Sequence, residues 1–490
     1  MKQPFYITTT LPYVNTKAHV GHALEFIRAD TLARYKALTG FEVFLNTGAD
    51  EHGVKIYQKA KEEGRDVQEY VDEYAKHLED LTIKLGMARD VDGITFNFTR
   101  TTNKEHTEAA KKFWNICKEN GYIEKRKYKG LYCVSDELFI PEKDLVNGRC
   151  PNHPDKDLEE VEEENYFFKA SAFSEELVDL YENNPDFIFP KERLNEMKSL
   201  VEKGLEDFSI SRLAEKMPWG IPVPYDPEQV MYVWFDALVN YINVIGWPDD
   251  LDSFNKWWPV TQYCGKDNTR QQAAMWQSML MAANLPPSRR IVVNGFVTSG
   301  GVKMSKSLGN IVDPLELIDE FGIDALRYYV LREVNPFEDS DLTKKRFLEV
   351  YNANLVNGLG NLVSRVMKMS EDFGVSYTNE QITEVIEAER EDVFSVDSKY
   401  REGAEEYRFN DAMDAVFKVV QETDEFIQKE EPFKVIKENK EKALQDVFTC
   451  VHSVIKISQM LLPMMPETSE KIVQAVLENK KPEEPIFPRK

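Results

Sequence analysis

The sequence predicts an α/β Rossmann-like domain built on a parallel sheet, split by an insertion and followed by an all-α bundle. Three observations carry that reading. The N-terminal stretch runs strand, loop, helix, strand, the opening of a parallel nucleotide-binding sheet. A charged segment from about Cys117 to Pro222, with an acidic run from Asp155 to Glu164, interrupts the α/β pattern. From about Tyr351 to the end, apolar residues recur only at helical spacing.

Phe5 to Thr10 is rich in β-formers and reads as the first strand. Leu11-Pro12-Tyr13-Val14-Asn15 breaks it into a loop, because Pro12 and Asn15 are turn formers. From about His19 the pattern turns helical through Val20, Leu24, Ile27 and Leu32, and Gly40 supplies a stop. A strand follows at Glu42–Asn46, then a loop from Gly48 to Gly53. In a parallel sheet, ligands sit beyond the C-terminal strand ends, where both loops would lie. His19 and His22 fall at a helix N-terminus, where free N–H groups and the helix dipole favour phosphate. Gly21 between them lets a ligand ring approach the backbone closely.

Within the insertion, Cys133-x-x-Asp136 and Cys150-x-x-His153 have two-residue gaps that let both ligands of a turn face one metal ion. Glu-rich helical sequence then runs from Ser174 to about Glu215. The sheet is expected to resume at Val230–Tyr241, followed by a strand at Val260–Cys264. Gly265-Lys266-Asp267 opens a helix from Gln271 to Ala283, and Ile291–Thr298 reads as a further strand. The stretch Gly300–Asn310 comes next, with Lys303 and Lys306 set among small and hydroxyl-bearing residues after a Gly-Gly that no regular element favours. Such a loop suits closure over a polyphosphate. In the C-terminal region Leu355, Leu359, Leu362, Val363 and Val366 mark one helical face. Further amphipathic runs are Ala412–Gln428 and Ala443–Leu462, broken by Pro432, Pro463 and Pro466. The expected units are residues 1–116 and 223–330 as the two halves of the sheet domain, 117–222 as the insertion, 331–355 as a linking segment and 356–490 as the bundle.

At 490 residues the chain should form two or three domains around sizeable cores. Its 61 Lys and Arg against 85 Asp and Glu give a net charge of −24, which counts against a nucleic-acid partner unless a local basic stripe does the binding. No apolar run approaches the roughly 20 residues a membrane span requires. Met1-Lys2-Gln3-Pro4 has no signal-peptide architecture, and five scattered cysteines argue for a reducing compartment, hence the cytoplasm.

His19-Val20-Gly21-His22 early and Lys303-Met304-Ser305-Lys306-Ser307 late, in that order, resemble the nucleotide-binding motifs of class I aminoacyl-tRNA synthetases. Leu11-Pro12-Tyr13-Val14-Asn15, the Gly48–Gly53 loop, Phe98-Thr99-Arg100, Tyr232–Ala237 and Gly265-Lys266-Asp267 also match, in order, the methionyl-tRNA synthetase family over nearly the whole chain. The resemblance implies a catalytic domain split by the connective insertion of that class, then an anticodon-binding bundle. It implies ATP contacts from His19, Gly21, His22, Gly265, Asp267, Lys303 and Lys306, with His19, His22, Lys303 and Lys306 catalytic. It places Leu11, Tyr13, Trp234, Ala237, Leu238, Tyr241 and Gln272 around the methionine side chain, with Asp50 on its amino group. An aromatic, Leu-rich slot suits a thioether, and a partly desolvated ammonium requires a carboxylate. Asn361, Arg365 and Phe433 would read the anticodon. ATP would bring Mg²⁺, and Cys133, Asp136, Cys150 and His153 would hold one structural Zn²⁺ unless the site has lost its metal.

The implied reaction activates methionine to methionyl-AMP and transfers it to the terminal adenosine of tRNA, with no enzyme nucleophile. The implied protein is a monomer, since no C-terminal dimerisation domain is apparent. Two departures stand out. Gln271-Gln272 replace the family's usual Phe-His, and Asn294 stands where a His is common. The rival readings are another class I synthetase, such as the cysteine or leucine enzyme, a small-molecule nucleotidyltransferase, and a catalytically silent tRNA-binding relative. Pyrophosphate exchange across the twenty amino acids separates them.

Overall fold

The computed structural model describes residues 2–15, 18–133, 138–140, 145–151, 155–304, 310–375, 377–395 and 398–490, with the main chain alone at 138, 139, 161 and 303. Strand β1 (Gln3–Thr8) leads through helix α1 (Val20–Leu38) to β2 (Phe41–Ala49), and two further helices lead to β3 (Ile94–Arg100). β2 lies parallel between β1 and β3. Helix α1 is buried on almost every face, so its charged residues Glu25, Arg28, Asp30 and Lys36 lie inside the molecule, where each needs a partner.

The inserted segment forms β4 (Ile123–Cys133), β5 (Leu138–Ile140) and β6 (Glu159–Phe168), joined by β8 (Phe208–Ser209) in an antiparallel sheet of order β5-β4-β6-β8. The acidic run continues into β6. It lies against the lysine-rich β4, with Lys127 opposite Glu164 and Lys129 opposite Glu162, so cross-strand charge pairing explains both compositions. Between these strands the chain returns to the main sheet, where β7 (Ile188–Phe189) pairs parallel with a later strand. A small antiparallel sheet follows, built from β9 (Ser211–Leu213), β10 (Pro222–Val223) and β11 (Asp226–Met231).

The main sheet does not resume at Val230. β11 ends at Met231 in the small sheet, and Val233–Ala237 and Asn240–Asn243 are helical. The run is buried along nearly its whole length, and a continuous apolar run does not by itself distinguish a buried helix from a buried strand. The sheet resumes with β12 (Val260–Gly265) and β13 (Arg290–Asn294), giving the parallel order β3-β2-β1-β12-β13-β7. The expected strand from Ile291 to Thr298 is broken at Gly295, and its second part is β14 (Val297–Ser299) of another sheet. β14, β15 (Val302–Lys303) and β16 (Ser340–Asp341) form that sheet, ordered β15-β14-β16. Gly300 and Gly301 make the two-residue turn of the β14–β15 hairpin, both at positive φ (68° and 76°), a turn that right-twisted strands favour.

The C-terminal region is helical from Lys344 onward. The expected run Ala412–Gln428 lies within helix Phe409–Glu430, and Ala443–Leu462 falls in helix Lys440–Leu461, with Leu462 as its C-cap. Pro432 and Pro466 each open a helix at a first-turn position, where the missing N–H costs nothing. Leu355, Leu359, Leu362, Val363 and Val366 are all buried. They belong to one apolar cluster that runs from Ile7, Val43 and Leu45 of the sheet through α1 to Val454 and Val476 of the bundle. Sheet and bundle therefore share a core.

Candidate active site

The N-terminus of α1 opens into a cleft of about 460 Å³ at the C-terminal ends of the central strands. His19 is the N-cap. Its Nδ1 accepts from Gly21 N at 3.1 Å, while His22 Nδ1 accepts from His19 N at 3.2 Å, a reciprocal capping box made by two histidines. The rings stack with centroids 4.0 Å apart. With each Nδ1 engaged as an acceptor, a neutral ring carries its proton on Nε2, where it can donate to an anion. Burial, then the neighbouring His19, depresses the His22 pKa to about 3, so this ring is neutral at physiological pH. A Cβ on Gly21 would lie 2.9 Å from the His19 ring, so in this structure the glycine first of all makes room for the cap itself.

Leu11, Tyr13 and Asp50 line the same cleft, together with Trp234, Gly265 and Asp267. Tyr13 and Asp50 face each other in a parallel bridge, with Val14 N donating to Asp50 O at 3.1 Å and Asp50 N to Pro12 O at 2.9 Å. The loop after β1 is thus sewn to the end of β2, which fixes the carboxylate beside the aromatic wall. Behind Asp50, Glu51 is buried against Arg100, with Glu51 Oε1 2.6 Å from Nε. Trp219 Nε1 donates to Glu51 O at 2.6 Å, so the loop is braced from both sides.

Ala237, Leu238, Tyr241 and Gln272 do not reach the cleft surface. They are buried, and Leu238 and Tyr241 belong to the apolar cluster against which Trp234 packs. Gln272 Nε2 donates to Tyr241 Oη at 2.9 Å, and Gln272 Oε1 accepts from Gln262 Nε2 at 3.0 Å. Gln272 therefore ties the tyrosine into an internal polar chain. Gln271 does line the cleft.

Glu25 and Lys55 are among the cleft residues that sequence reasoning did not assign. Glu25, one turn beyond His22, accepts from Thr10 N and Thr10 Oγ1, each at 2.6 Å, and burial raises its pKa to about 7. Lys55 and Asn294 also line the cavity. A signal for Glu25 existed, an acid placed on the first inward-facing turn of α1. Asn294, noted above as a departure, arrives from the end of β13, far along the chain.

Lys303 lies on β15 and Met304 lines the cleft, while Lys306 lies outside the described residues. In the bundle Asn361 is exposed, Arg365 pairs with Asp424, and Phe433 is 45% exposed. Cys133 and Cys150 are buried, and Asp136 and His153 lie outside the described residues.

The family profile described as tRNA synthetases class I (M) matches residues 5–160 and 155–367. A methionine–tRNA ligase of Thermotoga maritima is 37% identical over 98% of this chain and 76% of its own length. The chain belongs to the methionyl-tRNA synthetase family. Another member, from a Nostoc species, is 38% identical over 96% of this chain and 90% of its own. The structure of a methionyl-tRNA synthetase of Mycobacterium tuberculosis in complex with methionyl-adenylate superposes with a TM-score of 0.88 at 32% identity, covering 99% of this chain and all of that one. The parallel sheet leads into the helix that opens at His19, and the helical region follows the sheet in the chain.

Proposed function

We propose that this chain is a methionine–tRNA ligase. It activates methionine with ATP to methionyl-AMP and pyrophosphate, then passes the methionyl group to the 3′-terminal adenosine of tRNA(Met). The observation that carries this is the convergence on one cleft of the His19–His22 helix cap, the Asp50 carboxylate and the Leu11–Tyr13–Trp234 wall.

In this reading the methionine ammonium sits on Asp50 and its thioether chain lies along Trp234 and Tyr13. The methionine carboxylate is thereby aimed at the α-phosphate of ATP. The attack forms an acyl–phosphate bond and expels pyrophosphate, and the Nε2–H groups of His19 and His22 hold phosphate oxygens at the helix N-terminus. Lys303 and Lys306, carried by the β14–β15 hairpin and the segment after it, neutralise charge on the leaving pyrophosphate. ATP would bring Mg²⁺, which would offset the charge of its phosphates. The Gln272–Tyr241 pair, behind the Trp234 wall, sets the depth of the side-chain slot. Asn361, Arg365 and Phe433 are the anticodon contacts. Pyrophosphate exchange with each of the twenty amino acids tests the reading. Methionine alone should support rapid exchange, and equal or better exchange with another amino acid refutes it.

The insertion is proposed to hold one structural Zn²⁺ through Cys133, Asp136, Cys150 and His153. Two buried thiols suit a soft-to-borderline ion, and one carboxylate is a legitimate, weaker ligand. Elemental analysis of chelator-free protein should give one equivalent that Asp136→Ala removes. Less than about a tenth of an equivalent in the wild type rejects the site. Among the described residues no helix is long and apolar enough to cross a membrane. We place the protein in the cytoplasm as a monomer, which sedimentation of the purified chain checks.

A further inference from the structure

Arg28 lies on α1, on the same helix as His22, and is 2% exposed. Its Nη1 donates to Asn294 Oδ1 at 2.9 Å and to Pro336 O at 3.0 Å, and its Nη2 donates to Val334 O at 3.1 Å and Asn335 O at 3.2 Å. Only a guanidinium has enough donors, rigidly forked, to satisfy this set at once. Asn294 is itself buried beside the cleft, and Arg28 fixes which way its carboxamide faces.

The strap that Arg28 holds, residues 334–341, carries β16, the strand on which the lysine hairpin is built. Ser340 N donates to Phe296 O and Leu342 N to Thr298 O, each at 2.9 Å. Asp341 Oδ1 accepts from Gly301 N in the hairpin turn at 2.9 Å and from Thr298 Oγ1 at 3.0 Å. Strap and strand touch through backbone alone at Gly295, where a Cβ would stand 2.1 Å from Glu338 O. One buried side chain therefore joins the helix that carries the histidines to the base of the hairpin that carries Lys303.

We propose that Arg28 is a positioning residue for adenylate formation, holding Asn294 and the 334–341 strap so that the lysine hairpin stands in register with the phosphate-binding end of α1. Two grips on one polyphosphate must be aligned to within a fraction of an ångström, and misplacement by about 1 Å can cost a hundredfold.

The inference rests on the proposed activity, and the test separates the two. Wild-type protein without methionine-dependent exchange refutes the activity itself. Given wild-type exchange, Arg28→Lys keeps the charge but cannot span Asn294 and the strap. Its exchange kcat should fall about ten- to a hundredfold with methionine KM within about twofold. Asp341→Ala, at the surface, loosens the same hairpin from its other side and should lower kcat by a smaller factor, again at unchanged methionine KM. The double variant should lose less than the product of the two single losses, because both act on one element. Unchanged kcat in folded Arg28→Lys, or a multiplicative double loss, overturns the proposal. If Arg28→Lys does not fold, Asp341→Ala decides alone, and wild-type kcat there overturns it.

Discussion

At the scale of single residues, the cleft is a set of titratable groups pushed away from their ordinary behaviour for identifiable reasons. His22 titrates near 3 when folded, against about 6.5 in an unfolded chain. The unfolded state thus takes up a proton that the folded state refuses, and stability falls as pH drops from 6.5 towards 3. Glu25 shows the opposite sign. Its folded pKa near 7 exceeds the ordinary 4.5, so its contribution is intact below 4.5 and is lost as pH rises through 7. Urea midpoints at pH 5 and pH 8 separate the two. Relative to wild type, His22→Gln should gain more at pH 5, and Glu25→Gln should gain more at pH 8. Lys306 belongs to this scale too. Lys306→Ala should slow methionine-dependent exchange by about ten- to a thousandfold, as loss of one charge contact to a transition state does, with methionine KM nearly unchanged. An exchange rate within twofold of wild type would show that the lysine segment has no part in the chemistry.

At the scale of elements, the site is accurate because its parts sit on strand and helix ends that backbone contacts hold together. Gly48 lies inside β2, and a Cβ there would stand 2.0 Å from Thr99 O of β3. The obstacle is a carbonyl of a paired strand and cannot rotate away. Gly48→Ala should therefore force β2 and β3 apart, at a cost of about 1–3 kcal/mol or more, read as a lowered denaturant midpoint. Because β2 leads directly to Asp50, the same variant should raise methionine KM. An unchanged midpoint with unchanged KM would mean that the sheet edge yields without consequence. The β14–β15 hairpin follows the same logic, since its Gly-Gly turn brings Lys303 back opposite Thr298.

At the scale of the whole molecule, α1 is the axis that sheet and bundle share. Its first turn meets the cleft, and Arg28 reaches the strap. Asp30 pairs with buried Arg327 at 2.8 Å, whose Nε donates to Met464 O at 2.6 Å in the bundle. Lys36, near the far end, pairs with Glu405 at 2.5 Å. The continuous core makes the bundle a rigid arm rather than a loosely tethered module. Arg365 projects from that arm beside Asp424, each roughly one-third exposed, and such a pair contributes little to stability. Arg365→Ala should accordingly leave exchange and the denaturant midpoint intact. It should lower kcat/KM for tRNA aminoacylation about ten- to a hundredfold, the worth of one charged hydrogen bond at about 1.5–3 kcal/mol. Equal losses in both assays would assign Arg365 a structural role instead.

What was legible in the sequence was whatever local chemistry dictates. The two histidines at the start of α1, the Gly-Gly turn before Lys303, the prolines at the openings of bundle helices and the apolar stripe from Leu355 to Val366 each depend on neighbours a few residues away. Spacing and backbone preference decide such features before any tertiary contact forms. The segment Val230–Tyr241 reads as sheet in the sequence because its apolar run says only that it is buried, whereas the fold makes it the end of β11 and two short helices. The return of β7 to the sheet edge, the burial of Tyr241 and Gln272 behind the Trp234 wall, and the membership of Glu25 and Asn294 in the cleft were decided by the fold. Arg28 and Asn294 stand 266 positions apart in the chain. Their pairing exists only because a parallel sheet brings the end of β13 alongside α1, and no local pattern in either segment specifies a partner at that separation.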